Sequence, residues 1–136
     1  MSIIERVKRL ECPLDQCVVI GSGLLDALGL RSSGDIDLVV SRELFEKLYL
    51  SGEYQLSVRH GQQVLERDDI EIWQTWGTRD ELSFEVLYQE GVSVDGVRFS
   101  HPSVIIGFKK NRGMEKDSKD VALLEEYIRA HPGRFA

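Results

Sequence analysis

The segment from residue 16 to residue 40 constrains the fold more than any other part of the chain. Residues 16–20 form a short apolar run that stops at Gly21, which is typical of a buried strand. Residues 22–28 then have the pattern of a short helix, and residues 35–40 form a second apolar strand. A strand–turn–helix–strand unit of this kind predicts an α/β fold, in which helices cover a sheet.

The rest of the chain continues the alternation of helices and strands. Apolar periodicity and capping residues predict further helices over residues 3–10, 42–50, 78–89, 117–130 and from Pro102 onward. Strands are predicted over residues 54–60, 64–66 and 70–73, with a hairpin over 92–99 around Asp95-Gly96. A capping box is predicted at Thr78, Arg79, Asp80 and Glu81. No linker divides the sequence, so we predict one domain, residues 1–136.

Composition excludes several classes of protein. With 136 residues, a net charge of −6 and a pI of about 5.1, the chain is unlike a dedicated nucleic-acid-backbone binder, which is usually basic. No apolar window is long enough for a transmembrane helix, and the N-terminus lacks a signal-peptide pattern. We therefore predict a cytoplasmic protein with no membrane partner, whose Cys12 and Cys17 are reduced and serve as small apolar fillers.

Two aspartates lie on the strand that ends this segment. Asp35 and Asp37 are two residues apart, so both point to one face, while the apolar residues of the strand point to the other. Two carboxylates on one face repel each other unless a cation lies between them, and oxygen ligands suit Mg²⁺. The alternative is a polar sheet edge with two solvated aspartates.

Glu71 supplies a third carboxylate. The apolar residues of strand 70–73 alternate with Glu71, as those of the earlier strand alternate with Asp35 and Asp37. If the two strands are neighbours, the three carboxylates can hold one or two Mg²⁺ ions and leave one oxygen as a base. The alternative for Glu71 is a surface charge on an amphipathic strand.

Two features are candidates for binding an anion. The turn Gly21-Ser22 lets the backbone approach a ligand, and the Ser22 hydroxyl adds a donor, although most strand–glycine–helix turns bind nothing. Residues 109–119 hold five lysines and arginines against two acids, a net of +3, which leaves −9 for the rest of the chain. Lys109 and Lys116 can therefore neutralise a phosphate. The alternative is a solvated helix face with Lys116 paired to Asp120.

These motifs together resemble the nucleotidyltransferase superfamily that includes DNA polymerase β. The resemblance rests on Gly21-Ser22, Asp35-Ile36-Asp37-Leu38 and Ile70-Glu71-Ile72, and it is greatest to small antibiotic-modifying and antitoxin-like members. Arg31 and Ser33 resemble the loop before the aspartates of this family. Residues 109–124 resemble the Lys…Arg-x-Lys-Asp-x-x-Asp segment of several bacterial members.

The resemblance implies a mixed sheet flanked by helices and an NTP bound through Mg²⁺. It assigns metal ligation and catalysis to Asp35, Asp37 and Glu71. Nucleotide binding is then expected at Gly21, Ser22, Arg31, Ser33, Lys109 and Lys116.

The function predicted from the sequence is transfer of a nucleoside monophosphate from an NTP, with ATP expected, to a hydroxyl of a small molecule or protein. One alternative is a catalytically silent relative that serves as a binding or antitoxin module with a toxin partner. Another is an Asp-x-Asp glycosyltransferase, for which the chain is short. Trp73 and Trp76 can stack on a nucleobase, but indoles in a core are commoner.

Overall fold

The computed structural model of this chain describes residues 1–10, 12–77 and 82–135. Its helices are α1 (Ile3–Lys8), α2 (Gly23–Ala27), α3 (Arg42–Ser51), α4 (Phe84–Glu90), α5 (Pro102–Arg112) and α6 (Glu115–Ala130). Its strands are β1 (Cys17–Ile20), β2 (Ile36–Val40), β3 (Gln55–Arg59), β4 (Gln62–Arg67), β5 (Ile70–Trp73), β6 (Val92–Val94) and β7 (Val97–Phe99). A 3₁₀ turn, Leu14–Gln16, precedes β1.

All seven strands belong to one mixed sheet with the order β3-β4-β5-β2-β1-β7-β6. Two neighbouring pairs are parallel, β1 with β7 and β2 with β5, and the remaining pairs are antiparallel. The predicted class, a mixed α and β fold, is confirmed. The sheet order joins strands that are distant in the chain, so the site is assembled by long-range pairing.

The parallel pairing of β2 with β5 confirms that the two candidate carboxylate strands are neighbours. Asp37 lies opposite Glu71, and Leu38 lies opposite Ile72. Ile70 and Ile72 are buried while Glu71 is partly exposed, as the predicted alternation requires. The register therefore places the Asp37 and Glu71 side chains on the same face of the sheet.

Local sequence signals explain where several elements begin and end. The Ser41 hydroxyl accepts a hydrogen bond from the Leu44 N–H and caps α3. The His101 side chain likewise caps α5, whose first residue is Pro102. The hairpin between β6 and β7 turns at Asp95 and Gly96, where φ is 51° and 84°.

The helix predicted over residues 78–89 is present, but it begins at Phe84 and is capped by Ser83. The capping box predicted at residues 78–81 lies outside the described residues.

One apolar core lies beneath the site. It includes strand residues such as Val19, Leu38 and Ile72, and both cysteines are buried in it. Burial raises the pKa of the Cys17 thiol to about 12, with further contributions from Cys12 and Asp15, so Cys17 is an inert filler as predicted. In the described part of the chain, every helix is too short or too polar to cross a membrane.

Gly23 and Gly107 provide a matched pair of substitutions that tests this packing. A Cβ at Gly23 would overlap Val19 Cγ1 and lie 3.6 Å from Ile3 Cγ1, whereas a Cβ at Gly107 in α5 meets nothing within 4 Å. We expect Gly23→Ala to lower the free energy of unfolding by about 1–3 kcal/mol because it overpacks the core. Gly107→Ala should raise it by about 0.5–1 kcal/mol, since alanine favours a helix. Urea unfolding measures both, and a stable Gly23→Ala would contradict this packing.

Candidate functional site

The turn after β1 brings the backbone of Gly21 directly against Asp37. Gly21 has a φ of 69°, and a Cβ at this position would lie 3.2 Å from Asp37 Oδ2. The absence of a side chain therefore both permits the left-handed turn and leaves room for the carboxyl group. The sequence predicted a glycine that allows close approach of a ligand, and in the structure the group that approaches is Asp37.

Asp37 is the most perturbed carboxyl group of the site. Burial and the negative charges of Glu71 and Asp35 raise its pKa from the ordinary 3.8 to about 7. A hydrogen bond with Glu71 acts in the same direction, whereas the nearby Lys109 ammonium acts against it. The raised pKa leaves Asp37 partly protonated near neutral pH, and a bound cation would favour the ionised form.

The three predicted carboxylates are close enough to interact, but they do not form a ready-made metal cage. Asp37 lies opposite Glu71 across β2 and β5, and Asp35, which is exposed, contributes its charge to the same site. Within residues 1–10, 12–77 and 82–135, no group of three or more His, Cys, Asp or Glu side chains is arranged to hold a metal ion. The roles of Asp35, Asp37 and Glu71 as metal ligands remain predictions.

Arg59 is a member of the site that was not predicted from the sequence. Its Nη1 donates to Glu71 Oε1 at 2.9 Å and its Nη2 donates to Glu66 Oε2 at 2.8 Å. Glu66 lies opposite Glu71 across β4 and β5, so Arg59 reaches over β4 from the edge strand β3. Arg59 falls in the strand predicted over residues 54–60, but the sequence did not predict which strand would pair with it.

A buried ion cluster lies next to the carboxylates. Lys109 Nζ lies 3.0 Å from Asp120 Oδ2 and 3.6 Å from Asp117 Oδ1, and all three side chains are less than 5% exposed. The same ammonium donates to Ser22 Oγ at 3.0 Å, and Ser22 in turn donates to Asp120. Ser22 is therefore turned toward this cluster, and Lys109 is not part of an open basic patch.

Two arginines complete the cluster from its solvent side. Arg31 donates to both carboxylate oxygens of Asp120 at 2.6 and 2.8 Å, and Arg112 donates to both of Asp117 at 2.8 and 2.6 Å. Burial acts to raise the pKa of Asp120, but the hydrogen bonds from Arg31 and Lys109 outweigh it and lower the pKa to about 2. The hydrogen bonds from Arg112 likewise hold the pKa of Asp117 below its usual range. Both aspartates are ionised, so three cations face two anions and leave a net charge of +1.

Ser33 has a structural position in the loop that precedes the aspartates. Its hydroxyl donates to the Asp35 carbonyl at 3.0 Å, and its N–H donates to Asp26 Oδ2 at 2.8 Å. Arg6 in α1 holds the same loop by donating to the Ser33 and Gly34 carbonyls and pairing with Asp69. These contacts fix the start of β2 relative to β5.

Lys116 and Trp76 lie outside this assembly. Lys116 is exposed on α6, and the Lys116–Asp120 pair that was the alternative does not form, because Lys109 and Arg31 occupy Asp120. Trp76 is 5% exposed and packs on Phe108 with ring centroids 4.7 Å apart, so it belongs to the core rather than to a base-stacking surface.

The site thus joins a cluster of three acidic groups, of which only Glu71 has an arginine partner among the described residues, to a cluster in which the cations outnumber the anions. The Asp37 carboxyl group is crowded by Glu71 and Asp35, which raise its pKa, while Arg31 and Arg112 have side chains that are 38% and 40% exposed. A cation bound at the carboxylates and an anion bound at the arginines would both be stabilised.

Comparison with protein-family models, curated proteins and solved structures gives no match.

Replacement of Asp37 by Asn should reveal the shifted ionisation. The unfolded chain ionises this group near pH 3.8 and the folded chain near pH 7, so folded-state stability is lost as pH rises through that window. Asn cannot ionise, so D37N should match the wild type at pH 4 and exceed it by about 2–4 kcal/mol at pH 8. Chemical unfolding at both pH values measures the difference. The exposed control Glu126→Gln should show little dependence, and a loss of stability in D37N at pH 8 would refute this account.

Substitution of Lys109 and of Lys116 should show how the loss of a buried lysine differs from the loss of an exposed one. Lys109→Met leaves Asp117 and Asp120 buried with only one arginine each, so we expect a loss of about 2–4 kcal/mol. Lys116→Met should change stability by less than about 0.5 kcal/mol, as exposed substitutions usually do. Urea unfolding in parallel compares them, and equal losses would place Lys109 in solvent.

Proposed function

We propose that this chain is a Mg²⁺-dependent nucleotidyltransferase that transfers a nucleoside monophosphate from an NTP to a hydroxyl of a small molecule or protein. The position of Asp37 carries the proposal. This crowded carboxyl group has Glu71 and Asp35 as acidic neighbours, Lys109 as a cationic neighbour and the Gly21 turn against its oxygen. A group of carboxylates that needs a cation lies beside arginines that offer positive charge, and this combination suits a metal-bound triphosphate.

The chemistry of the donor set fits Mg²⁺. Asp35 and Asp37 offer only oxygen atoms, and the crowding that protonates Asp37 is relieved by a divalent cation. Mg²⁺ usually binds through one or two carboxylates together with substrate phosphates, so a preassembled cage of three carboxylates is not required. When bound, Mg²⁺ would neutralise charge on the triphosphate and on the leaving pyrophosphate.

The chain's own residues would then position the reactants. Arg31 and Arg112 have exposed guanidinium edges that can bind the triphosphate, and Lys109 keeps their aspartate partners in place. The acceptor oxygen attacks the α-phosphorus, the bond from that phosphorus to the bridging oxygen breaks, and pyrophosphate leaves. Glu71 accepts the proton of the acceptor hydroxyl. We place the reaction in the cytoplasm, where ATP is available and Cys12 and Cys17 stay reduced.

A catalytically silent binding module, such as an antitoxin with a toxin partner, is the second candidate. Arg59 favours it, because its guanidinium already neutralises Glu71 and a metal must compete for that carboxylate. A silent module would bind nucleotide weakly or not at all and would release no pyrophosphate. Pyrophosphate release from ATP with Mg²⁺, measured over hours with water or the chain itself as acceptor, discriminates the two.

Thermal unfolding with ATP tests the proposed site. ATP with Mg²⁺ should raise the melting temperature of the wild type more than ATP with a chelator, because the carboxylates repel the triphosphate when no metal is bound. Since Asp37 must release a proton, the shift should grow between pH 6 and pH 8.

Two variants provide the controls for this experiment. D37N removes a ligand and should lose most of the Mg²⁺-dependent shift even though its own melting temperature is higher. Glu126→Gln removes an equal charge from an exposed position on α6 and should keep the full shift. A D37N variant that binds Mg²⁺ and ATP as the wild type does would exclude the nucleotidyltransferase site.

A further inference from the structure

Strand β3 forms one edge of the sheet. Among the described strands it pairs only with β4, through an unbroken register of five residue pairs from Gln55–Glu66 to Arg59–Gln62. Its outer backbone N–H and C=O groups therefore face away from the sheet. The strand has no proline, no lysine and no bulge, which are the features that usually block pairing at an exposed edge.

Exposed apolar side chains concentrate at this edge. Six large apolar side chains are exposed in the part of the chain that the structure describes, and four of them fall between residues 49 and 58. They are Tyr49, Leu50, Leu56 and Val58, exposed by 50%, 80%, 37% and 70%. The first two end α3, and the other two share one face of β3. Clusters of exposed apolar side chains commonly mark contact surfaces.

We infer that β3 pairs with the β3 strand of a second copy of this chain and so forms a dimer. Two identical strands related by a two-fold axis run antiparallel, and the resulting interface is closed. With the axis at Ser57, Leu56 of one copy lies opposite Val58 of the other. Directly opposite residues in an antiparallel pair share a face, so four exposed apolar side chains would then cover one another.

The charges of β3 suit a second copy of the same strand. Arg59 is its one charged residue, and the two-fold register places Arg59 opposite the neutral Gln55 rather than opposite another arginine. Glu53 is half-exposed and its carboxylate lies 3.5 Å from the Arg67 guanidinium of its own chain; it stands two residues before Gln55 and brings an acid near the arginine of the other copy. The register that pairs the apolar residues therefore also avoids placing like charges opposite each other.

The dimer should be weak and reversible. A pair of five-residue strands with a few flanking side chains buries less area than a standard interface, which buries about 1,200–2,000 Å². We expect a dissociation constant of about 10–500 μM, at the weak end of specific association.

Sedimentation velocity of the full chain over a range of concentrations tests the inference. The wild type should shift from monomer to dimer, and Val58→Lys should weaken association at least tenfold, because lysine at a sheet edge opposes pairing. Met114→Lys places the same charge at another exposed apolar residue, away from β3, and should associate as the wild type does. Circular dichroism confirms that each variant is folded.

Hydrogen exchange locates the contact in the wild type. The amides of residues 55–59 should exchange more slowly at high protein concentration, and those of β6, at the opposite edge, should not change. A wild type that stays monomeric at all concentrations overturns the inference and leaves β3 to a different partner. A dimer that survives Val58→Lys, or open-ended polymers in place of a dimer, also overturns it.

Discussion

The buried Lys109 ammonium is the interaction on which the arrangement of the site depends. It joins α5, which carries it, to Asp117 and Asp120 on α6 and to Ser22 in the turn after β1. A buried ammonium without these partners would be strongly unfavourable, so the three segments must meet where they do. The cluster contributes a fixed geometry more than net stability, since burying ions costs nearly as much as pairing them restores.

Beside this cluster of paired charges, the sheet register instead places two acidic groups together. Pairing β2 with β5 forces Asp37 to lie opposite Glu71, although the two carboxyl groups repel each other. The apolar residues that alternate with them hold the strands in register, so the core maintains a charge arrangement that the charges themselves disfavour. Such local conflict between fold and electrostatics is typical of functional sites.

Much of the fold could be predicted from local signals, and the contacts that define the site could not. Alternating apolar residues located β2 and β5, Ser41 marked the start of α3, and Asp95-Gly96 marked a hairpin, because each signal acts within a few residues. The partners of Ser22 lie 87 and 98 residues away in sequence, and charged residues are normally expected in solvent. The burial of Lys109 and the reach of Arg59 therefore follow from tertiary packing, which periodicity does not encode.

The bare Cα of Gly21 has a consequence for how this sequence can vary. Any side chain at position 21 must adopt a left-handed backbone conformation and also press on Asp37 Oδ2. The backbone strain lowers the stability of the fold, whereas the contact perturbs the Asp37 carboxyl group, and one substitution at position 21 cannot separate these two effects. A survey of all substitutions would show position 21 as intolerant whether selection acted on protein abundance or on chemistry. A substitution at position 37 distinguishes the two selective pressures, because Asn retains the shape of Asp and removes only its ionisation.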